Sequence, residues 1–543
     1  MRYHIIAAVL AGLFAHNAIF IRGEWHMRIL QILVGHCLLS SLILYLVYRS
    51  DDAASFDEAF QVVAVMEAVY LWALFGSMAV YRLFFHRLSH FPGPKFAAVT
   101  KLWHIWKIRK STNHLFLQEL HKKYGNIVRT GPNELTLVGT SAYNLLDGWG
   151  NTTTRDIWYD LLRPRYSAVF CRDRELHREG RKAWVQSMTG KAMNAFYPRV
   201  AMLAQSLSDC IASHGTRPVD VDDVMSWFSF DMMGDVLFGE DFNLLKSRTW
   251  EPAIKHRDGA LALVGPISDA TWIAHLAFLL VPFYGRVQDW ARMVSFCEER
   301  IKDRILRENK EKSDMAEYFL EEHQRLSNSM SLEERDLYLA GTIVTAVVAG
   351  SDTTRAALIA TFWFLAKYPE HASKIRDETR DVDERDFAKL ASLPHLNAFI
   401  DETLRLVPPA GMTGTARITG EQGMTFENVY IPPFTKVTAP RYVIMRLASA
   451  FPRPDEFIPE RWYSQPELIR DKRAFAPFSV GPRQCTGKML AYVELRHVAT
   501  LLLRHYDIEF APGYDPMIMW RDLKDQVTAQ PGKVMCVFKP REQ

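Results

Sequence analysis

The chain has 543 residues, 48% hydrophobic and 23% charged, which excludes a wholly disordered polymer. Its 65 Lys and Arg against 62 Asp and Glu leave a net charge of +3, too small an excess to suggest a nucleic-acid binder. Six cysteines, at 37, 171, 210, 297, 485 and 536, form no C-x-x-C pair, which argues against a disulfide scaffold or structural zinc module and fits a reducing compartment.

Three apolar runs open the chain, at 3–21, 29–48 and 60–81. Each is near the roughly 20 residues that a helix needs to cross a bilayer. The separators are short and polar. Arg22 to Arg28 is the first, and Arg49 to Glu58, with Asp51, Asp52, Asp57 and Glu58, is the second. After the third run the chain turns basic, with Arg82, Arg87, Lys95, Lys101, Lys107, Arg109 and Lys110. Lys and Arg favour the cytoplasmic side, so the remainder is expected in the cytosol, with the 22–28 loop beside it and the N-terminus in the lumen. The first run is also short enough for a cleaved signal peptide, and the two runs that follow favour a span. Glu67 is costly in lipid and calls for a partner or an interfacial position.

Phe91-Pro92-Gly93-Pro94 makes a stiff break. Residues 1–90 are then expected to form an anchor region and 91–543 a single domain. Apolar patterning predicts helices over 113–124, 173–195, 286–311 and 332–367. Short strands are expected at Ile127–Thr130, Leu135–Val138, Val429–Ile431, Lys436–Ala439 and Val534–Phe538. Many helices with a few short strands predict a mainly α fold with small β-sheets, not a doubly wound sheet.

Residues 475–487 read Phe-Ala-Pro-Phe-Ser-Val-Gly-Pro-Arg-Gln-Cys-Thr-Gly. A thiolate is a ligand that haem iron accepts, and a lone cysteine excludes an iron–sulfur cluster here. Gly481 and Gly487 would let backbone approach a flat macrocycle and aim N–H groups at the sulfur. A helix starting beside Cys485 would further stabilise the thiolate. A buried structural cysteine in a glycine turn is the plainer alternative for such a loop.

The spacing Phe478-x-x-Gly481-x-Arg483-x-Cys485-x-Gly487 resembles the haem-binding signature of the cytochrome P-450 family. Ala349-Gly350-Ser351-Asp352-Thr353-Thr354, Glu402-Thr403-Leu404-Arg405 and Pro459-Glu460-Arg461-Trp462 occur in that family's order, so the likeness runs from about residue 85 to the end. It implies the family's fold behind N-terminal transmembrane helices, with haem b, iron protoporphyrin IX, between the long helix and the cysteine loop. Cys485 would be the axial ligand, and Arg483, His177, Arg181 and Arg417 would meet the propionates. Thr353 would hydrogen-bond bound dioxygen and Asp352 would relay protons, in a helix that Gly350 and its polar neighbours kink. Glu402, Arg405 and Arg461, able to share a buried pairing, would be structural. Thr345, Val348, Ala349, Ala410, Met412, Thr413, Val527, Thr528 and Ala529 would line a lipophilic substrate site. Three positions depart from the pattern: Thr486 after the cysteine, His177 for a common tryptophan, and Met445-Arg446-Leu447 where His-Arg-Asp is frequent.

The resemblance further implies a monooxygenase that uses dioxygen, two electrons and two protons to oxidise a lipophile. The sequence holds no dinucleotide-binding stretch of its own, so electrons from NADPH are expected through a partner, NADPH–cytochrome P-450 reductase, with cytochrome b5 as a second candidate donor. Lys472, Arg473, Lys488 and Arg496 are the candidate docking charges, and an endoplasmic reticulum membrane is the expected location. The flanks of the Pro-Gly-Pro hinge look like those of filamentous-fungal members, which tailor terpenoids, polyketides or alkaloids. An oxygen-independent isomerase or dehydratase of the same family stays as the alternative, which Asp352-Thr353 speaks against, and a non-enzymatic haem sensor as a more distant one.

Overall fold

The computed structural model describes residues 2–50, 55–267, 270–307 and 313–541. Asp51, Asp52 and the expected helical residues 308–311 lie outside that set. Three N-terminal helices are long and apolar enough to cross a membrane, over Arg2–Phe20, His26–Arg49 and Phe56–Phe85. Their regular α segments are α1 (Arg2–Phe14), α2 (Ile29–Arg49) and α3 (Phe56–Val80). At Gly12 on α1 a Cβ would come within 2.6 Å of the Tyr70 carbonyl of α3, so a small residue permits that crossing. His16 and Ser77 join at 2.8 Å, and His36 and Tyr70 at 3.0 Å. Glu67 Oε1 has no hydrogen-bond partner among the described residues.

The body that follows is mostly helical. The helices that frame the site are α4 (Arg174–Gln186), α5 (Val221–Phe238), α6 (Leu332–Lys367), α7 (Pro394–Leu406) and α8 (Lys488–His505). Helix α6 begins where expected because Ser331 and Glu334 cap it reciprocally. It too is long and apolar enough to span a membrane, yet 78% of its most apolar window is buried in protein, against none for the window of His26–Arg49. That difference separates a core helix from a lipid-facing one. The expected helix 173–195 is broken at Ser187–Thr189, after which a second helix runs Gly190–Ala212.

Five short strands, β1 (Ile127–Gly131), β2 (Glu134–Leu137), β3 (Thr154–Arg155), β4 (Arg417–Ile418) and β5 (Lys436–Thr438), form a sheet ordered β1-β2-β5-β4-β3. The β2–β5 pair is parallel, with Leu135 opposite Val437. The sheet places Arg155 opposite Arg417 at one edge, where the site begins.

Candidate functional site

Cys485 sits in a loop between a 3₁₀ turn at Gly481–Arg483 and the start of α8. Its backbone N–H donates to Phe478 O at 2.9 Å. Gly481 has φ +70°, and a Cβ there would meet Asp147 O at 2.0 Å, so both the turn and the packing require glycine. At Gly487 a Cβ would meet only Cys485 Sγ, at 4.0 Å, so the space beside the sulfur is open. Cys485 is exposed to the open space of the cavity, yet the protein around it desolvates the thiol and pushes it up from its ordinary range, while the Gly487 N–H with Arg181, Lys488 and Arg441 acts against that.

The sulfur faces a cavity of 330 Å³, walled by α6 through Thr345, Ala349, Gly350 and Thr353 and by Phe478 and Ala410. A neighbouring cavity of 360 Å³ shares Thr345, Ala349, Thr353 and Ala410, and adds Val348, Thr413, Val527 and Thr528 beside Trp158, Leu161, Phe170 and Val264. Ala410 and Thr528 also form a β-bridge. Val527 holds φ +74° at the tip of the Lys524–Gln530 hairpin, a strained conformation for a β-branched residue. Met412 is a correction. It is fully buried with Ala356, Tyr442, Leu523 and Ala529, and lines neither cavity. Ala529 belongs to that same cluster, because alternate residues of the hairpin strand face opposite ways.

On the other flank a 670 Å³ cavity gathers Arg155, His177, Arg181, Arg417 and Arg483. Asp147 is the one carboxylate among its described lining residues, and Arg417 consumes it. Arg417 Nε donates to Asp147 at 2.7 Å and Nη1 to the Tyr159 hydroxyl at 2.9 Å. Arg417, expected as a free anion partner, is therefore already paired. The rest of the cluster has no carboxylate partner among the described residues, although Arg155 Nη1 donates to the Ala168 and Cys171 carbonyls, both at 3.2 Å. Burial first, and then neighbouring positive charge, brings Arg155 down to about 9 and Arg483 to about 10. The same two causes push His177 to about 3. Buried Arg483 Nη1, Arg155 Nε and Trp184 Nε1 have no hydrogen-bond partner among the described residues. So many unmet donors call for an anion. A planar group with two carboxylates, bound through iron to Cys485, meets that demand, and the open space at Gly487 leaves it room. The residues present fit haem.

Asp352 and Thr353 part company. Thr353 lines both cavities, its Oγ1 donating to Ala349 O at 2.6 Å. Asp352 is fully buried and lines neither. Thr528 and Gln530 donate to its Oδ2, the latter at 2.7 Å, while Arg257 and Arg355 lie 3.4 and 3.5 Å from Oδ1. Burial would raise its pKa, but the two guanidiniums and two hydrogen bonds outweigh this and hold it ionised. The direct relay from Asp352 into the cavity is thus corrected: Thr528, bonded to Asp352, is its link to the chamber. The expected kink at Gly350 does not interrupt α6. The helix is continuous there, and a Cβ would strike Met233 of α5 at 2.2 Å, so the glycine serves close helix packing.

Glu402, Arg405 and Arg461 are all fully buried and joined, with Glu402 accepting from Arg405 at 2.9 Å and from Arg461 at 3.0 Å. Of the expected docking charges, Lys472 and Lys488 are exposed. Arg473 is paired with Asp471 at 2.7 Å, and Arg496 is half-buried, donating to Asn397 at 2.6 Å.

Sequence reasoning passed over Arg155, Trp184, Arg257, Gln530 and Glu494. None stands within a recognisable run, although Glu494 lies nine residues after Cys485 on the predicted helix. Glu494 is buried at the cysteine cavity and accepts from Thr354 at 2.9 Å. Burial raises it from 4.5 to about 8. The folded state then holds this proton where the unfolded chain has lost it, so its stabilisation is complete below pH 4.5 and lost as pH rises towards 8. Urea denaturation should show the parent losing on the order of 2 kcal/mol more than Glu494→Gln between pH 6 and pH 8. Equal losses would show that Glu494 is ionised throughout.

Comparison with known proteins agrees with this geometry. The Cytochrome P450 family model matches residues 92–537. Cytochrome P450 monooxygenase FCK2 of Fusarium pseudograminearum is 33% identical, covering 98% of this chain and 96% of its own. Tryprostatin B 6-hydroxylase of Aspergillus fumigatus is 29% identical over 96% and 94%. Among solved structures, retinoic acid bound cyanobacterial CYP120A1 superposes with a TM-score of 0.66 at 21% identity, covering 80% of this chain and 96% of that one, which supports the fold. With a thiol at the haem position, cationic groups around it and relatives matched along nearly their whole length, the chain belongs to the cytochrome P450 family, as a haem-thiolate monooxygenase.

Proposed function

We propose that this monooxygenase hydroxylates a lipophilic small molecule, as a tailoring step on a terpenoid, polyketide or alkaloid scaffold. The observation that carries this is the 360 Å³ chamber, whose surface is mainly apolar although Arg155, Arg417, Arg441 and Arg483 also line it, and which shares Thr345, Ala349 and Thr353 with the cavity over Cys485. Its size suits a small organic ligand. The relative named for hydroxylating tryprostatin B supports the same class of reaction.

Haem b, held by Cys485 and by Arg483, Arg181, Arg155 and His177, would supply dioxygen activation at its iron. The chain's own residues bind and orient the substrate and manage protons. Val348, Val527, Trp158 and Phe170 exclude water from the chamber. Thr353 presents a hydroxyl at the junction of the two cavities, and Asp352 holds a proton acceptor behind it, reached through Thr528 Oγ1. Electrons would come from NADPH through a reductase, or through cytochrome b5, with exposed Lys472 and Lys488 offering the docking charge.

The three apolar helices and the basic segment after them support an endoplasmic reticulum anchor with the body in the cytosol. A second apolar patch reinforces the membrane contact. Leu279, Leu280, Val281, Phe283 and Tyr284, at and after the end of the Thr271–Leu280 helix, are exposed together.

The test is product formation by membranes carrying the chain and a reductase, supplied with NADPH, ¹⁸O₂ and a panel of lipophiles. The expected product carries one ¹⁸O atom. Thr353→Val should lower product per NADPH consumed about tenfold or more, and Thr353→Ser should retain most of it. Product formed without NADPH or without label would instead select the oxygen-independent isomerase.

A further inference from the structure

The loop joining the first two apolar helices does more than turn the chain. Glu24 makes a two-pronged ion pair with Arg172, at 2.6 and 2.7 Å. Arg172 continues to Asp160 at 3.0 Å and to the Arg155 carbonyl at 3.2 Å. His26 Nε2 meets the same Asp160 oxygen at 3.0 Å. His26 and Asp160 are both buried, each 8% exposed. Four side chains thus form one network between the anchor and residues 156–172.

That segment is the wall of the chamber. On its far side Trp158, Tyr159, Leu161, Leu162, Val169 and Phe170 face the cavity. The helix Thr271–Leu280 packs against both the His26–Arg28 turn and the Ile157–Asp160 turn, with Ala274 fully buried beside Leu161. The ligand atoms of Glu24, His26 and Asp160 are close enough to hold a cation. The Arg172 guanidinium, bonded to both carboxylates, already supplies the positive charge there.

We propose that Glu24 and His26 are positioning residues for substrate: through Arg172 and Asp160 they hold residues 156–172 in place, so the membrane anchor shapes the chamber as well as tethering the enzyme. This rests on the reading of the 360 Å³ cavity as the substrate site. Glu24 itself is exposed, so the strength of the contact comes from its two-pronged, charge-assisted geometry and from the buried His26 and Asp160 behind Arg172. It also requires the 22–28 loop to lie on the same side of the bilayer as the catalytic body, as three spans demand.

The test uses the full-length haem protein in phospholipid nanodiscs and compares Glu24→Arg, Arg172→Glu and the swapped pair, with Glu24→Gln as a milder variant. Amide exchange over residues 156–172 should quicken about tenfold in Glu24→Arg and Arg172→Glu, and return towards the parent in the swapped pair. Clotrimazole, a bulky apolar azole read by its spectral shift, should bind about tenfold more weakly to the same two variants. Imidazole, which needs only the iron, should bind all of them alike. Unchanged exchange overturns the proposal. So does faster exchange with unchanged clotrimazole affinity, because the loop would then brace the wall without shaping the chamber. A parent that gives no imidazole shift would instead overturn the haem assignment and leave the exchange result to judge the clamp.

Discussion

Cys485→Ser should abolish the thiolate signature of the reduced, carbon monoxide-bound protein and lower product formation on the order of a thousandfold or more. Serine keeps the shape of the side chain and the backbone bond from residue 485 to Phe478 O, so the loop should survive. What is lost is a ligand that gives up its proton on binding iron. Desolvation by the surrounding protein opposes the free thiolate here, the Gly487 N–H supplies a donor, and a bound iron would supply the compensating charge. A serine hydroxyl is far harder to ionise and would donate less electron density to a haem iron, so residue 485 would no longer support the oxygen chemistry that the haem would supply. Four of the five remaining cysteines give the contrast, Cys37 being exposed on α2. Cys171, Cys210, Cys297 and Cys536 are buried, their thiols pushed up by burial, and none lines the cysteine cavity. Cys297→Ala should therefore cost stability and leave the spectrum unchanged. Absorbance of the reduced carbonyl complex, haem content per chain and oxidation of an accepted lipophile decide the matter. A serine variant with the parent's spectrum and turnover would remove the thiolate from the mechanism.

Local chemistry was the legible part. Helix α6 begins and ends where its apolar run predicts, because a capping box starts it and apolar residues on nearly every face keep it in the core. The helix after Gly487 and the Val429–Ile431 strand were equally readable. The pairing of Glu402 with Arg405 follows from their three-residue spacing. The unreadable part depends on what crosses over from elsewhere in the chain. Asp352 looked free for proton relay because nothing in the sequence places Arg257 or Gln530 against it. Arg417 looked available because its partner Asp147 is 270 residues away. Met412 and Thr413 are adjacent, yet one packs inward and the other faces the chamber, a choice made by the turn at Gly411–Gly414. The contact of Glu24 with Arg172 joins two regions that sequence reasoning treated as separate.

Glu402→Ala should leave little folded, haem-loaded protein. The carboxylate is fully buried and accepts from Arg405, Arg461, the Trp462 indole at 2.9 Å and the Ile458 N–H at 3.0 Å. Its removal would strand two guanidiniums with no exposure and no counter-ion. Breaking such a buried set costs about 3–5 kcal/mol, against a total stability of about 5–15 kcal/mol for a folded domain. The effect should reach the cysteine. Arg405 donates to the carbonyls of Met445, Pro454 and Glu456, and Arg461 to those of Pro452, Arg453 and Leu468. The staple thus pins the irregular segment that leads into residues 475–487. Freed, that segment can no longer hold the loop at a fixed distance from α6, so haem retention should fall with stability. Glu402→Gln is the discriminating variant. It keeps the volume and two acceptor lone pairs but not the charge, so it should fold with a lowered denaturation midpoint and intermediate haem content. If Glu402→Ala instead matched the parent in midpoint and haem content, the three residues would be worth no more than an exposed helix ion pair, which contributes about 0.3–0.5 kcal/mol, and their burial would have to be supported by packing alone.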